Sequence, residues 1–335
     1  MGRSIALCLL VAAMACSQGS AARQAASSPS PRAQSARGEP SPSPTPALPP
    51  YYIESLRARP AAAGPLTVGQ QMLQGPGYTK YQMTWPSQGQ TMTGTISMPS
   101  GSGPFPVVVV NHGFIPATRY WVGQDSGIFG DPMASHGFIS VAPNWPGYSG
   151  SGPGEADLPP IVQEAVATLD LIGSLRSLPQ ADTGRVALIG HSNGGGISQI
   201  VMVADPNIKA VVLHGPISSD MSDNARKWWL TTPGGAGPVG SPDTNPTGYA
   251  HISPRNYFAA GMPPVLIIQG GSDEEIPIAW TQATLAALQA KGIQSKLSMY
   301  PGALHDFVGS NLTNAVTEQE NWIRQAMGMP ALGGA

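Results

Sequence analysis

Gly190-His191-Ser192-Asn193-Gly194 stands between an apolar run, Arg185-Val186-Ala187-Leu188-Ile189, and a helix-compatible stretch, Gly195 to Val203. A five-residue apolar run has the length of a buried strand, and strand, G-x-S-x-G, helix is the context of a nucleophile elbow. In such an elbow the serine occupies a strained turn, and only small neighbours relieve the crowding around it. Gly190 and Gly194 meet that demand, since a side chain at either place would collide with adjacent backbone. In a chain with 41 Gly a bare G-x-S-x-G also arises by chance, so the reading needs partners for Ser192 elsewhere.

A serine hydroxyl is a weak nucleophile at neutral pH and needs an imidazole base, itself oriented by a carboxylate. After an elbow serine the acid comes next in the chain and the histidine last. Beyond the apolar strand Val265-Leu266-Ile267-Ile268 lies Asp273, and beyond the strand Ser295 to Tyr300 lies His305. Both follow strand C-termini, on the same rim of a sheet as the elbow. Glu274 and Glu275 are read as capping the next helix. His136 and His214 end a helix and a strand, His251 lies in an insertion, and His191 packs beside the serine. Developing charge on a tetrahedral intermediate needs N–H donors. The backbone N–H of Asn193 is one, at a helix N-terminus. That of Phe114, in the loop Asn111-His112-Gly113-Phe114, is the other.

Strands and helices alternate along the chain. Tyr78–Pro86 and Gln90–Pro99 read as a hairpin, Val107–Val110 as a strand buried on both faces, and Phe138–Pro143 as another strand. Helices are expected near 127–136, 158–178, 276–290 and 311–327, and a strand at 208–213. Tyr51 to Gly77 carries a weak signal and reads as short helical or irregular structure. The pattern implies an α/β fold with a mostly parallel central sheet and helices on both faces. Residues 216–254 interrupt the rhythm and are expected to form a loop-rich cap beside the site. Trp228 and Trp229 within it, with Trp145 and Tyr148, are candidates for lining an apolar cleft.

Met1 to Ala15 has the form of a signal peptide: Arg3, an apolar run from Ile5 to Ala13, and Ala13-Met14-Ala15 as cleavage site. Cys16 follows at once, resembling a bacterial lipoprotein signal, so lipidation of Cys16 and attachment to a membrane are expected. The alternative is simple cleavage and secretion. Either way the protein is exported. Residues 16–50, rich in Ser and Pro, read as a disordered tether, and 51–335 as one catalytic domain. A net charge of −2, with 11 % charged residues, gives no sign of a nucleic-acid partner, and none is expected. Cys8 lies in the segment to be removed, so the mature domain uses no cysteine chemistry. No histidines or carboxylates fall at metal-ligand spacing, and neither metal nor cofactor is expected.

Three separated stretches share a resemblance: Ser253-Pro254-Arg255-Asn256-Tyr257, Pro264 to Gly270 with Asp273 and Ile276-Pro277, and Tyr300-Pro301-Gly302-Ala303-Leu304-His305. They resemble the catalytic domain of prolyl-oligopeptidase-type serine hydrolases of the α/β-hydrolase superfamily. Val107 through Asn144-Trp145-Pro146-Gly147 is similar to dienelactone-hydrolase-type sequences. The resemblance implies the α/β-hydrolase fold, the triad Ser192, Asp273 and His305, and no cofactor. Peptidases of that family carry a β-propeller ahead of the catalytic domain, and the residues before Val107 are too few for one. The expectation is therefore an exported hydrolase of small-molecule or polymeric carboxylic esters. A peptidase or amidase, and a non-catalytic binding module, stand as alternatives. The sequence is silent on oligomeric state.

Overall fold

Val107 to Val110 are fully buried, and alternation along the strand sends them to opposite faces. Val107 and Val109 join one apolar cluster, Val108 and Val110 the other, so both faces of the sheet are covered here. Each such side chain contributes about 2 kcal/mol as an upper estimate. The computed structural model describes residues 47–60 and 64–333. The expected leader, Cys16 and most of the tether lie outside them.

Nine strands form one sheet among the described residues: β1 (Thr67–Gly75), β2 (Tyr78–Ser87), β3 (Gln90–Pro99), β4 (Phe105–Asn111), β5 (Ile139–Pro143), β6 (Ala181–His191), β7 (Ile208–His214), β8 (Val265–Gly270) and β9 (Ser295–Tyr300). Their spatial order is β1-β2-β3-β5-β4-β6-β7-β8-β9. β1 to β3 meander antiparallel and β3 joins β5 antiparallel, while every pairing from β5 to β9 is parallel. This is the α/β-hydrolase fold.

The helices are α1 (Ile53–Ala58), α2 (Ser126–Ser135), α3 (Pro160–Ser174), α4 (Asn193–Ala204), α5 (Met221–Lys227), α6 (Pro246–Ile252), α7 (Ile278–Ala290) and α8 (Gly309–Ala326). Ile161, Val162, Ala165 and Val166 of α3, with Ile197 and Ile200 of α4, cover the Val107 face. Phe129 and Met133 of α2, with Ala315 and Ile323 of α8, cover the other.

Two expectations need correction. Tyr51 to Gly77 contains α1 but also β1, a full strand at the sheet's edge. β1 reads Thr-Val-Gly-Gln-Gln-Met-Leu-Gln-Gly and is almost wholly exposed, so no period-two apolar pattern marks it. Residues 216–254 hold α5, α6 and two 3-10 turns at Trp229–Thr231 and Gly237–Val239, more regular than the loop-rich excursion expected.

Candidate active site

β6 ends at His191, and α4 begins at Asn193. Ser192 joins them with φ 54° and ψ −118°, a left-handed conformation that costs a non-glycine residue about 1–3 kcal/mol. Its N–H donates to the His214 carbonyl (2.9 Å), and its own carbonyl accepts from Gly195 and Ile217. Close approach explains the flanking glycines. A Cβ on Gly190 would strike the Gly194 carbonyl and Ser198 Oγ, and one on Gly194 the carbonyls of Asn111 and His112.

The remaining predicted residues arrive on the same rim. His305 Nδ1 lies 3.0 Å from Asp273 Oδ2, and both side chains are nearly fully buried. Burial opposes charge on Asp273, but the His305 hydrogen bond and the N–H groups of Ile276 and Glu275 outweigh it. The carboxyl is therefore held below its ordinary value. Gln269 adds a donor to Oδ2 at 2.6 Å. Gly215, at φ +45°, makes room: a Cβ there would stand 3.0 Å from His305 Nδ1 and 3.2 Å from Asp273 Oδ2.

Ser192 and His305 line one cavity of about 910 Å³ together with Gly113, Phe114, Asn193, Trp145, Tyr148, Trp228 and Trp229. The N–H groups of Phe114 and Asn193 meet no acceptor among the described residues. Thr232 to Gly235, from the cap segment, complete one wall. Trp145 is only 3 % exposed and stacks on His112 at 4.2 Å, so it is wall structure more than a contact surface. Tyr148 donates to the Ile115 carbonyl, and the Phe114 ring stands 68 % exposed at the mouth.

Three features here escaped the sequence. The first is Asp125, at φ +65° before α2. Its carboxylate accepts the Gly113 N–H at 2.6 Å and lies 2.9 Å from His191 Nδ1. His191 is therefore half of a buried pair, not the packing residue expected. Burial opposes its charge, but Asp125 prevails and holds the imidazole above its ordinary value, while Asp125 sits below its own. The His191 ring lies 4.9 Å from that of His305. Asp125 thus ties the Phe114 loop to the residue beside the nucleophile.

Second, Glu274 caps no helix: Pro277 precedes α7 with no side-chain cap, and Glu274 Oε2 accepts the His305 N–H at 3.0 Å. Third, the Asn193 amide donates to Glu164 of α3 at 2.9 Å, giving that side chain a partner the sequence did not reveal. No local motif marks Asp125 or Glu164. Only the helical spacing of Glu164 beside Ile161 and Ala165, facing the core, carried a signal. The other histidines pair structurally, His136 with Glu320, His214 with Gln319 and His251 with Glu54. Among the described residues no cluster of three metal-ligating side chains forms.

The sequence profile of the prolyl oligopeptidase family matches residues 131–330, more than half of the chain. The chain belongs to the prolyl oligopeptidase family. It is a serine hydrolase of the α/β-hydrolase fold, as the motifs implied. No curated protein matches its sequence. Among solved structures it is similar to an acetyl xylan esterase from Thermoanaerobacterium, at TM-score 0.60 and 17 % identity over 82 % of this chain and 90 % of that one. It is also similar to a puromycin-hydrolysing peptidase from Mycobacterium tuberculosis, at TM-score 0.61 and 20 % identity over 78 % of this chain. A Klebsiella pneumoniae protein assigned as a dienelactone hydrolase aligns at TM-score 0.52 and 18 % identity, over 78 % of this chain and 99 % of that one. The chain spans less than half of the Mycobacterium peptidase, which is covered over only 41 % of its length.

Proposed function

We propose that the protein hydrolyses carboxylic esters by two-step acyl transfer, with Ser192, His305 and Asp273 as the triad. The observation that carries the reading is the His305–Asp273 hydrogen bond on the rim of the cavity that exposes Ser192 on its strained elbow. His305 Nε2 takes the Ser192 proton as Oγ attacks the ester carbonyl, while Asp273 fixes the ring through Nδ1–H. Negative charge on the former carbonyl oxygen is met by the N–H groups of Asn193 and Phe114. The alcohol leaves with the proton from His305, and water, deprotonated by the same ring, releases the acid from the acyl-enzyme.

Esters are put ahead of peptides on the likeness to an acetyl xylan esterase and to a protein assigned as a dienelactone hydrolase. The peptidase reading has the family itself behind it, and paired substrates separate the two. A 4-nitrophenyl ester and the 4-nitroanilide of the same acid are assayed side by side. Turnover of the ester with at most trace turnover of the anilide supports the proposal. Efficient anilide cleavage makes the protein a peptidase or amidase, and turnover of neither makes it a binding module.

Export and lipidation of Cys16 belong to the same proposal. Palmitate incorporation that disappears in Cys16→Ala is the expected result, and an unlabelled wild type overturns it.

A further inference from the structure

One wall of the Ser192 cavity has chemistry that ester hydrolysis does not use. Glu164 lines it at 8 % exposure. Oε2 accepts from Asn193 Nδ2, and among the described residues no second donor and no cation reaches the carboxyl. Oε1 has no hydrogen-bond partner and is not among the atoms sealed from solvent, so it is open to the cavity. Burial, against the weaker pull of the Asn193 bond, pushes the carboxyl up to about 8. Once ionised, an acid left this way in a cavity wall lacks a counter-charge.

The surroundings favour a cationic one. Asp125, Glu164, Glu275 and Asp306 line the cavity, and among its described lining residues there is no Lys or Arg. Lys227, next to Trp228, is not one of them: its ammonium lies over the Trp228 and Trp280 rings and donates to the Glu275 carbonyl. Tyr148 shares the lining with Glu164, and aromatic faces attract cations. A substrate carboxylate here would meet the Glu164 carboxyl with no Lys or Arg to offset it. A hydroxyl would bring no charge, and a quaternary ammonium no N–H for Oε1.

We propose that the subsite bordered by Glu164 and Tyr148 takes a primary ammonium group carried by the ester substrate. This rests on the ester-hydrolase reading above. Binding seats the ammonium N–H against Oε1 while Oε2 keeps Asn193; the carboxyl gives up its proton to solvent as the cation arrives, and the nucleophile elbow is left undisturbed.

Two matched series test it. In one, 4-nitrophenyl esters carry acyl chains ending in an ammonium or in a methyl of equal length. In the other, acetate esters carry alcohol chains with the same two ends, followed by pH-stat. The expected result is about a tenfold higher kcat/KM for the ammonium ester in one series. In Glu164→Gln, which retains an acceptor for Asn193, that ratio falls to about one. Ratios near or below one in both series overturn the proposal, as does a tenfold ratio that survives in Glu164→Gln. Should that variant not fold, wild-type inhibition by hexylammonium and by hexanol decides: competitive inhibition by the ammonium alone supports the subsite, and equal inhibition overturns it. Absence of turnover on every ester of both series sinks the ester reading instead, so the two failures are distinguishable.

Discussion

Replacing Glu164 by Gln removes a proton-binding group from the interior while keeping an acceptor for Asn193. The carboxyl titrates at 4.5 in its ordinary state and at about 8 in the fold. Between those values the unfolded chain has released the proton and the native protein retains it. Stability therefore falls as pH rises, by about 1.4 kcal/mol per unit. The window sets a ceiling of roughly 4 to 5 kcal/mol, which relaxation around the cavity reduces to about 2 or 3. The neighbours do not blur this. Tyr148 is pushed up to about 12 by burial and stays neutral, Asn193 does not titrate, and His112, lowered to about 4 by burial, is neutral throughout. Thermal unfolding of both proteins is followed by circular dichroism from pH 5 to 8. The variant should match the wild type near pH 5 and melt roughly 4 to 6 °C higher at pH 8. A Tm difference that stays constant with pH, or that favours the wild type at pH 8, refutes the reasoning.

Four further outcomes are expected. Asp125→Asn weakens the link between Gly113 and His191 and should lower kcat on a nitrophenyl ester about 10- to 100-fold, with KM changed less than about threefold; a large KM effect at unchanged kcat would contradict the loop-positioning role. Gln269→Leu takes the 2.6 Å donor from Asp273 and should cost roughly three- to tenfold in kcat/KM, with Gln269→His restoring most of it; equal rates in all three proteins would show the donor to be idle. Gly194→Ala drives a methyl into the Asn111 carbonyl and should cost about 3 kcal/mol or more, read as a fall in Tm or loss of soluble protein. Gly215→Ala sets a Cβ against His305 and Asp273, so activity should fall further than Tm; an active variant would show the rim to be looser than drawn.

Much of this architecture is legible because it is written in local patterns. Val107 to Val110 announce a doubly buried strand, and Ser295 to Tyr300 becomes β9 at the bounds expected. Order along the chain brings Asp273 to His305, since strand C-termini in a parallel sheet share one rim. β1 is different, because an edge strand solvated on both faces has no apolar period to read. Asp125 reaches His191 across 66 positions and Glu164 reaches Asn193 across 29, and neither spacing is a motif. Glu274 was misread because an acid ahead of a helix suggests a cap, whereas the chain turns it to the His305 backbone instead. Trp145 shows the converse limit: its place in the cavity was legible, its stacking on His112 was not.

The central claim is that Ser192, activated by His305 and Asp273, attacks the substrate carbonyl. A fluorophosphonate probe followed by peptide mass spectrometry tests it most directly. One label, on Ser192, is predicted in the wild type, together with loss of both label and ester turnover in Ser192→Ala and at least a thousandfold slower labelling in His305→Ala, on the order expected when a triad base is removed. Labelling of any other residue, or ester turnover that persists in Ser192→Ala, would contradict the account.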